Sequence, residues 1–353
     1  MLGPIIATAF GDAGGSMKPK IIGIYAFLAA ANLAAWAWAL IAFRDHPVLL
    51  GTAFLAYSFG LRHAVDADHI AAIDNVTRKL MQEGKKPAAV GFFFSLGHSS
   101  LVVLASLAVA LTASALEGSF AAWREIGGLI GTSVSVFFLF AVAFANILIF
   151  ISVYRSFRRV RRGVPFLEEE LDVFLAKRGL LGRLFRPVFR LIGKSWHMFL
   201  LGLLFGLGFD TATEVAVLGI SGAEAAKGLS VWSIMVFPAL FTAGMSLVDT
   251  TDSVLMVGAY GWAFVKPMRK LYYNMTITLV SVLVAILVGG IEALGLVADK
   301  LELDGWFWEG VAALNENFGS LGYLIIAIFA ASWLVSMAIY RLRGYDAIDP
   351  ATP

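Results

Sequence analysis

Long apolar runs separated by short charged breaks dominate this chain. Measured against the roughly 20 residues a helix needs to cross a bilayer core, they predict spans near 21–43, 48–74, 88–113, 126–154, 196–220, 229–260, 272–298 and 321–340. The second, fourth and sixth runs exceed a straight crossing, so each is expected to tilt, break or continue past the membrane surface. No early run has the short apolar core and small-residue cleavage site of a signal peptide, so the N-terminus is expected to be retained. The pattern predicts an all-α polytopic membrane protein, a single integral membrane domain over residues 1–353 with about eight transmembrane helices.

Composition supports that class. Of 353 residues, 59% are hydrophobic and 15% charged, against about 25% charged in soluble domains. The chain has no cysteine, which excludes both a disulfide framework and a thiolate metal site. A net charge of +2 gives no reason to expect a nucleic-acid partner, and no obligate protein partner is evident. The distribution of Lys and Arg is more telling. The two ends and the loops after the second, fourth and sixth spans carry 22 of them, and the opposite side carries 4: Arg44, Arg124, Lys227 and Lys300. The positive-inside rule then places both termini in the cytoplasm. The long loop 155–195 interleaves basic clusters with Leu, Phe and Val, as expected of a cytoplasmic amphipathic segment on an anionic inner leaflet. The outer loop 299–320 is mildly acidic and aromatic, and reads as an interfacial belt.

An internal echo runs through the chain. FGLRHAVDADHI (59–70) can be laid over FGLGFDTATEVA (205–216), and FSLGHSS (94–100) over FTAGMSL (241–247), which superposes Asp68 on Glu214 and Gly97 on Gly244. Two four-helix halves in a parallel repeat are expected on this reading, with a site near the midplane where they meet.

Ionisable residues inside the spans carry the chemistry. Residues 62–74 hold Arg62, His63, Asp66, Asp68, His69 and Asp74. Arg62, Asp66 and Asp68 alone would cost on the order of 8–10 kcal/mol if uncompensated, at about 2.5–3.5 kcal/mol each. Such residues face a cavity, pair with each other or bind an ion. Arg62 and Asp66, four apart, can form an internal counter-pair, and Asp74 is placed at the end of the span. At roughly 100° per residue, His63, Asp66 and His69 form a ladder within about a third of a regular helix's circumference. Asp68 points away from that ladder. Either it stands behind a histidine and orients it, or the helix is distorted here.

Three other spans add matching groups. His98 sits mid-span between Ser95 and Ser99; Asp210 and Glu214 are four apart with Thr211 and Thr213 between them; Met245, Asp249 and Asp252 share one stripe. Each alone could be a helix-packing device, but four polar clusters in four spans point to a site or pathway. Imidazole with carboxylate suits first-row divalent ions, and the lack of thiolate disfavours copper(I). The residues lead to a membrane carrier for such a cation.

At these motifs the sequence resembles the nickel/cobalt transporter family of secondary permeases. RHAVDADHI (62–70) is similar to the family's second-span signature, His, four residues, Asp-His, here His63, Asp68 and His69. LGHSS (96–100), LGFDTATE (207–214) and GMSLVDTTD (244–252) resemble its other motifs, in the family's order. The likeness is strongest to hydrogenase-associated high-affinity nickel permeases of Gram-negative bacteria. It implies Ni²⁺ uptake, with Co²⁺ as a further substrate, across the bacterial inner membrane, with no cofactor. It also implies that His63, Asp68 and His69 recognise the metal, supported by Asp66, His98, Asp210, Glu214, Asp249 and Asp252. No GxxxxGK[ST] occurs, so ATP is not the direct driver; the membrane potential suffices in principle, with proton coupling through Asp or His as the alternative. The alternatives are an exporter of the same metals, an intramembrane metalloenzyme and a passive channel. Related exporters carry His-rich cytoplasmic tracts, which this chain lacks, and no HExxH is present.

Overall fold

In a computed structural model the chain is described over residues 11–12, 16–112, 117–160, 162, 192–208, 212–263 and 267–343. Asp210 and most of the predicted amphipathic segment 155–195 lie outside the described residues. The helices in order are α1 (Met17–Ala42), α2 (Val48–His63), α3 (Ala67–Gln82), α4 (Val90–Thr112), α5 (Glu117–Val160), α6 (Met198–Phe205), α7 (Ala212–Ala226), α8 (Val231–Ile234), α9 (Val236–Ala263), α10 (Pro267–Lys300), α11 (Trp306–Glu316) and α12 (Phe318–Leu342). No strand occurs among the described residues.

Among the described residues six stretches are long and apolar enough to cross a membrane, or seven if α2 and α3, bent by 52° at a short break, form one span, so the expected eight are not all found. The predicted span 196–220 is not one helix. It is divided into α6, a 3-10 turn at Gly206–Gly208, and α7. Its eight-residue first piece is too short to span on its own. The predicted span 48–74 breaks as well, at Ala64–Asp66, and its second piece continues to Gln82. The outer loop 299–320 contains α11, whose Trp306 is exposed and whose Val311 is buried.

Glycines set the crossings that hold the centre together. A Cβ added at Gly97 of α4 would overlap the Phe199 carbonyl of α6, and one at Gly202 of α6 would overlap the Phe94 carbonyl of α4. Gly60 of α2 likewise meets the Phe241 carbonyl of α9, and Gly244 of α9 meets Tyr57 of α2. Backbones this close exchange dispersion contacts that larger residues would prevent, which is how membrane helices associate without a hydrophobic driving force. Each half of the molecule therefore clasps the broken helix of the other half.

The echo in the sequence corresponds to this plan, but the expected parallel relation does not hold. Along α4 and α9, Ser253 Oγ donates to the Ala88 carbonyl, Gly91 abuts Asp249, Ser95 Oγ donates to Ser246 Oγ at 3.1 Å, and Ser99 lies against Met245. Numbers rise on one helix as they fall on the other, so the two run antiparallel. The end of α3 and the residues after it also lie beside the segment leading into α6: Lys79 Nζ donates to Ile192 O at 2.6 Å and Lys85 Nζ to Gly193 O at 2.7 Å. The reason is arithmetic. The matched elements are three spans apart, and an odd separation reverses direction. The repeat is inverted.

Two polar assignments also change. Arg78, counted above as a loop charge, is buried in α3, where it donates to Asn75 Oδ1 and Thr278 Oγ1 at 2.8 Å each. Asp74 is not at a span end. It is fully buried, accepting hydrogen bonds from Tyr260 of α9 and from Ser281 of α10 at 2.7 Å. Replacing Tyr260 by phenylalanine leaves this buried carboxyl short of a donor. It is expected to cost about 1–3 kcal/mol, read as a lowered melting temperature of the purified protein in detergent.

Candidate metal centre

The break between α2 and α3 builds half of the centre. His63 is the last residue of α2, and Asp66 occupies the N-cap position of α3 with extended backbone, φ −64° and ψ 147°. An aspartate there ordinarily accepts a hydrogen bond from the first turn of its own helix. Asp66 makes no such bond. Its Oδ2 instead lies 2.9 Å from His63 Nδ1. A carboxylate at Nδ1 keeps the proton on that nitrogen and makes Nε2 the lone-pair nitrogen, the one able to ligate a cation.

The predicted ladder along one regular helix is replaced by a convergence across the break. His63, His69 and His98 form a near-equilateral triangle, with ring centroids 4.7, 4.8 and 4.8 Å apart. One ligand atom from each lies within 4.8 Å of the others. His63 Nε2 faces His98 Nε2 at 2.8 Å.

Carboxylates from three helices surround the triangle. Glu214, in the first turn of α7, places Oε1 2.9 Å from His98 Nε2. Asp249 of α9 places Oδ1 3.4 Å from His69 Nδ1. Thr213 Oγ1 lies 3.2 Å from His63 Nδ1. His63, His69, His98, Glu214 and Asp249 are all less than 4% exposed. Among the described residues His69 Nε2, His98 Nδ1 and Asp249 Oδ2 are buried without a hydrogen-bond partner. Unpaired buried nitrogen and oxygen in a membrane interior are costly, and a divalent cation at the triangle would take up the unused capacity of His69 Nε2 and Asp249 Oδ2, while His98, turned to the centre through Nε2, would keep Nδ1 outside its shell.

Phe94 and Phe241 wall the centre, their ring centroids 4.8 Å from His69 and 5.5 Å from His63. Neither was singled out by sequence reasoning, because a phenylalanine in an apolar span carries no distinguishing signal. Thr213 was visible only as a hydroxyl beside Glu214.

Other predicted residues fall differently. Asp68 sits in the first turn of α3, half-buried and within electrostatic range of His63 and His69. Asp66 also stands in a histidine-orienting position, beside His63 Nδ1. Asp252 lies three residues past Asp249, beside the triangle's carboxylates and not among them, in electrostatic contact with Asp74 and Asp249. Arg62 is exposed and forms no ion pair with Asp66 among the described residues. Ending α2 at His63 removes the i,i+4 geometry that pair requires.

Comparison with known proteins decides the family. Residues 49–339 match the model of the high-affinity nickel-transport protein family. The chain belongs to that family. It is 63% identical over 332 residues to a high-affinity nickel transport protein of Cupriavidus necator, covering 94% of this chain and 95% of the relative. It is 47% identical over 302 residues to the nickel transporter NixA of Staphylococcus aureus, covering 85% and 88%. It is 41% identical over 298 residues to the cobalt transport protein NhlF of Rhodococcus rhodochrous, covering 84% of each. No solved structure matches. As a family member the chain is a multi-pass membrane transporter, and the triangle lies within the matched region.

Asp66→Asn tests the geometry without removing a ligand. The amide keeps the shape but loses the anion behind His63. Ni²⁺ affinity by calorimetry on purified protein is expected to fall about 10–100-fold, the usual effect of losing a group behind a metal ligand.

Proposed function

We propose that this protein carries Ni²⁺, and with it Co²⁺, into the cell across the bacterial inner membrane as a secondary permease. The observation that carries the reading is the triangle of His63, His69 and His98, buried and ringed by Asp66, Glu214 and Asp249. Nitrogen and carboxylate donors suit both ions. The relatives' names, nickel and cobalt transporters, are consistent with uptake of either.

Inward movement of a divalent ion gains about 4.6 kcal/mol per 100 mV of inside-negative potential, so no cofactor or second fuel is required. Both termini lie in the cytoplasm, and the chain forms one integral membrane domain. The basic segment 155–195 rests on the inner leaflet, to which its charges are attracted. Asp68 and Asp252 line the route to or from the triangle, and Asp210 serves the same transport. The exporter reading is disfavoured because no His-rich cytoplasmic tract is present. The metalloenzyme reading is disfavoured by the family.

The test is uptake of radioactive Ni²⁺ into proteoliposomes of purified protein, with an inside-negative potassium potential switched on and off. Saturable uptake that rises with the potential is the expected result. Uptake indifferent to the potential would overturn the driving force, and accumulation only in the outward direction would overturn the reading itself.

A further inference from the structure

The break that holds His63, Asp66 and His69 together has a neighbour that none of the four polar motifs contains. Gly322 of α12 is buried, and a Cβ added to it would overlap the carbonyl oxygen of Val65, the central residue of the break. The same Cβ would stand 3.2 Å from Ile70 Cδ1. Ile325, one turn further along α12 and 1% exposed, joins Val65 and Ile70 in one hydrophobic cluster. The α12 backbone is thus seated directly against the peptide that joins Val65 to Asp66.

That peptide decides where the donors stand. Asp66 orients His63 from one side of it, and His69 hangs from the helix that begins on the other. The Asp66 carbonyl accepts from the Ile70 amide at 3.2 Å, so a displaced peptide carries the first turn of α3 with it. A misplacement of about 1 Å in a positioned group can cost on the order of 10²-fold. Discrimination between neighbouring first-row ions depends on such geometry, because intrinsic affinities follow a fixed order that the protein does not set.

We propose that Gly322 is a specificity-determining position. By admitting the α12 backbone against the Val65 carbonyl it fixes the break, and through the break the spacing of the three imidazoles that distinguishes Ni²⁺ from Co²⁺. Gly322 touches no ion; it is a positioning residue acting through Val65 and Asp66. The inference rests on the carrier reading above, and its readout is chosen to stand apart from transport.

The experiment measures Ni²⁺ and Co²⁺ affinity of purified full-length protein by calorimetry, for the wild type, Gly322→Ala and Gly290→Ala. An added Cβ at Gly290 meets nothing, which makes it the control. In Gly322→Ala, Ni²⁺ affinity is expected to fall about 10–100-fold and Co²⁺ affinity by a different factor, shifting the ratio of the two. Gly290→Ala is expected to leave both unchanged. Equal falls for the two ions, or none, would make Gly322 a packing residue and overturn the proposal.

If Gly322→Ala does not yield folded protein, Ile325→Val loosens the same seat without a clash and carries the test. A shifted ratio there supports the proposal, and an unchanged one overturns it. Wild-type protein that binds Ni²⁺ yet fails to transport it in proteoliposomes would sink the carrier reading and leave the affinity ratio to decide this one. Wild-type protein that binds neither ion would overturn both.

Discussion

Replacing His63 by alanine is expected to abolish Ni²⁺ accumulation in proteoliposomes while the protein remains inserted and folded. The side chain is 1% exposed and stands at the junction of the centre, 2.8 Å from His98 and 2.9 Å from Asp66. Its loss removes one nitrogen donor and leaves Asp66 facing a void. Groups behind a ligand cost about 10–100-fold in affinity when lost, and loss of a ligand itself should exceed that. A well-behaved elution profile and wild-type helicity would show that the defect is local. Normal accumulation in such a preparation would remove His63 from the site.

A second change should act in the opposite way, destroying the fold before the chemistry. Gly97→Leu drives a four-carbon side chain into the Phe199 carbonyl and the start of the next turn at Leu203. Inserting extra groups into a packed interior costs about 1–3 kcal/mol and sometimes more. Here the obstacle is backbone, which cannot rotate aside. The expected outcome is little or no folded protein in the membrane fraction, measured by fluorescence-detected size exclusion of a tagged chain. Gly258→Leu, at a glycine with open space around it, should accumulate normally. Equal yields for the two would mean that the α4–α6 crossing contributes little to the fold.

How much of this was legible beforehand varies residue by residue. His63, His69, His98, Glu214 and Asp249 stand out in the sequence because ionisable groups inside apolar runs need a reason to be there. Their convergence was not legible, because helical periodicity assumes a continuous helix. The break at Ala64–Asp66 contains no glycine or proline to announce it. What replaces that signal is Asp66, which ends one helix and opens the next while its carboxylate serves His63. Departures from local rules concentrate at functional sites, and this N-cap is one. The Arg62–Asp66 pair failed for the same reason, since it presumed a turn that is absent. The burial of Asp74 was hidden because its partners, Tyr260 and Ser281, lie 186 and 207 residues away. The inverted relation of the halves was within reach, needing only a count of spans between the matched segments.

The three imidazoles have one more consequence. Magnesium is the divalent ion that any such protein meets in greatest excess, and it holds six oxygen neighbours and sheds water reluctantly. A pocket in which His63, His69 and His98 present nitrogen at three corners offers magnesium poor replacement for its water shell. A trace ion can thus be drawn from a large background of a harder one without any sieve for size. In the proposed site, the discrimination would be made by the chemical element of the donor atom.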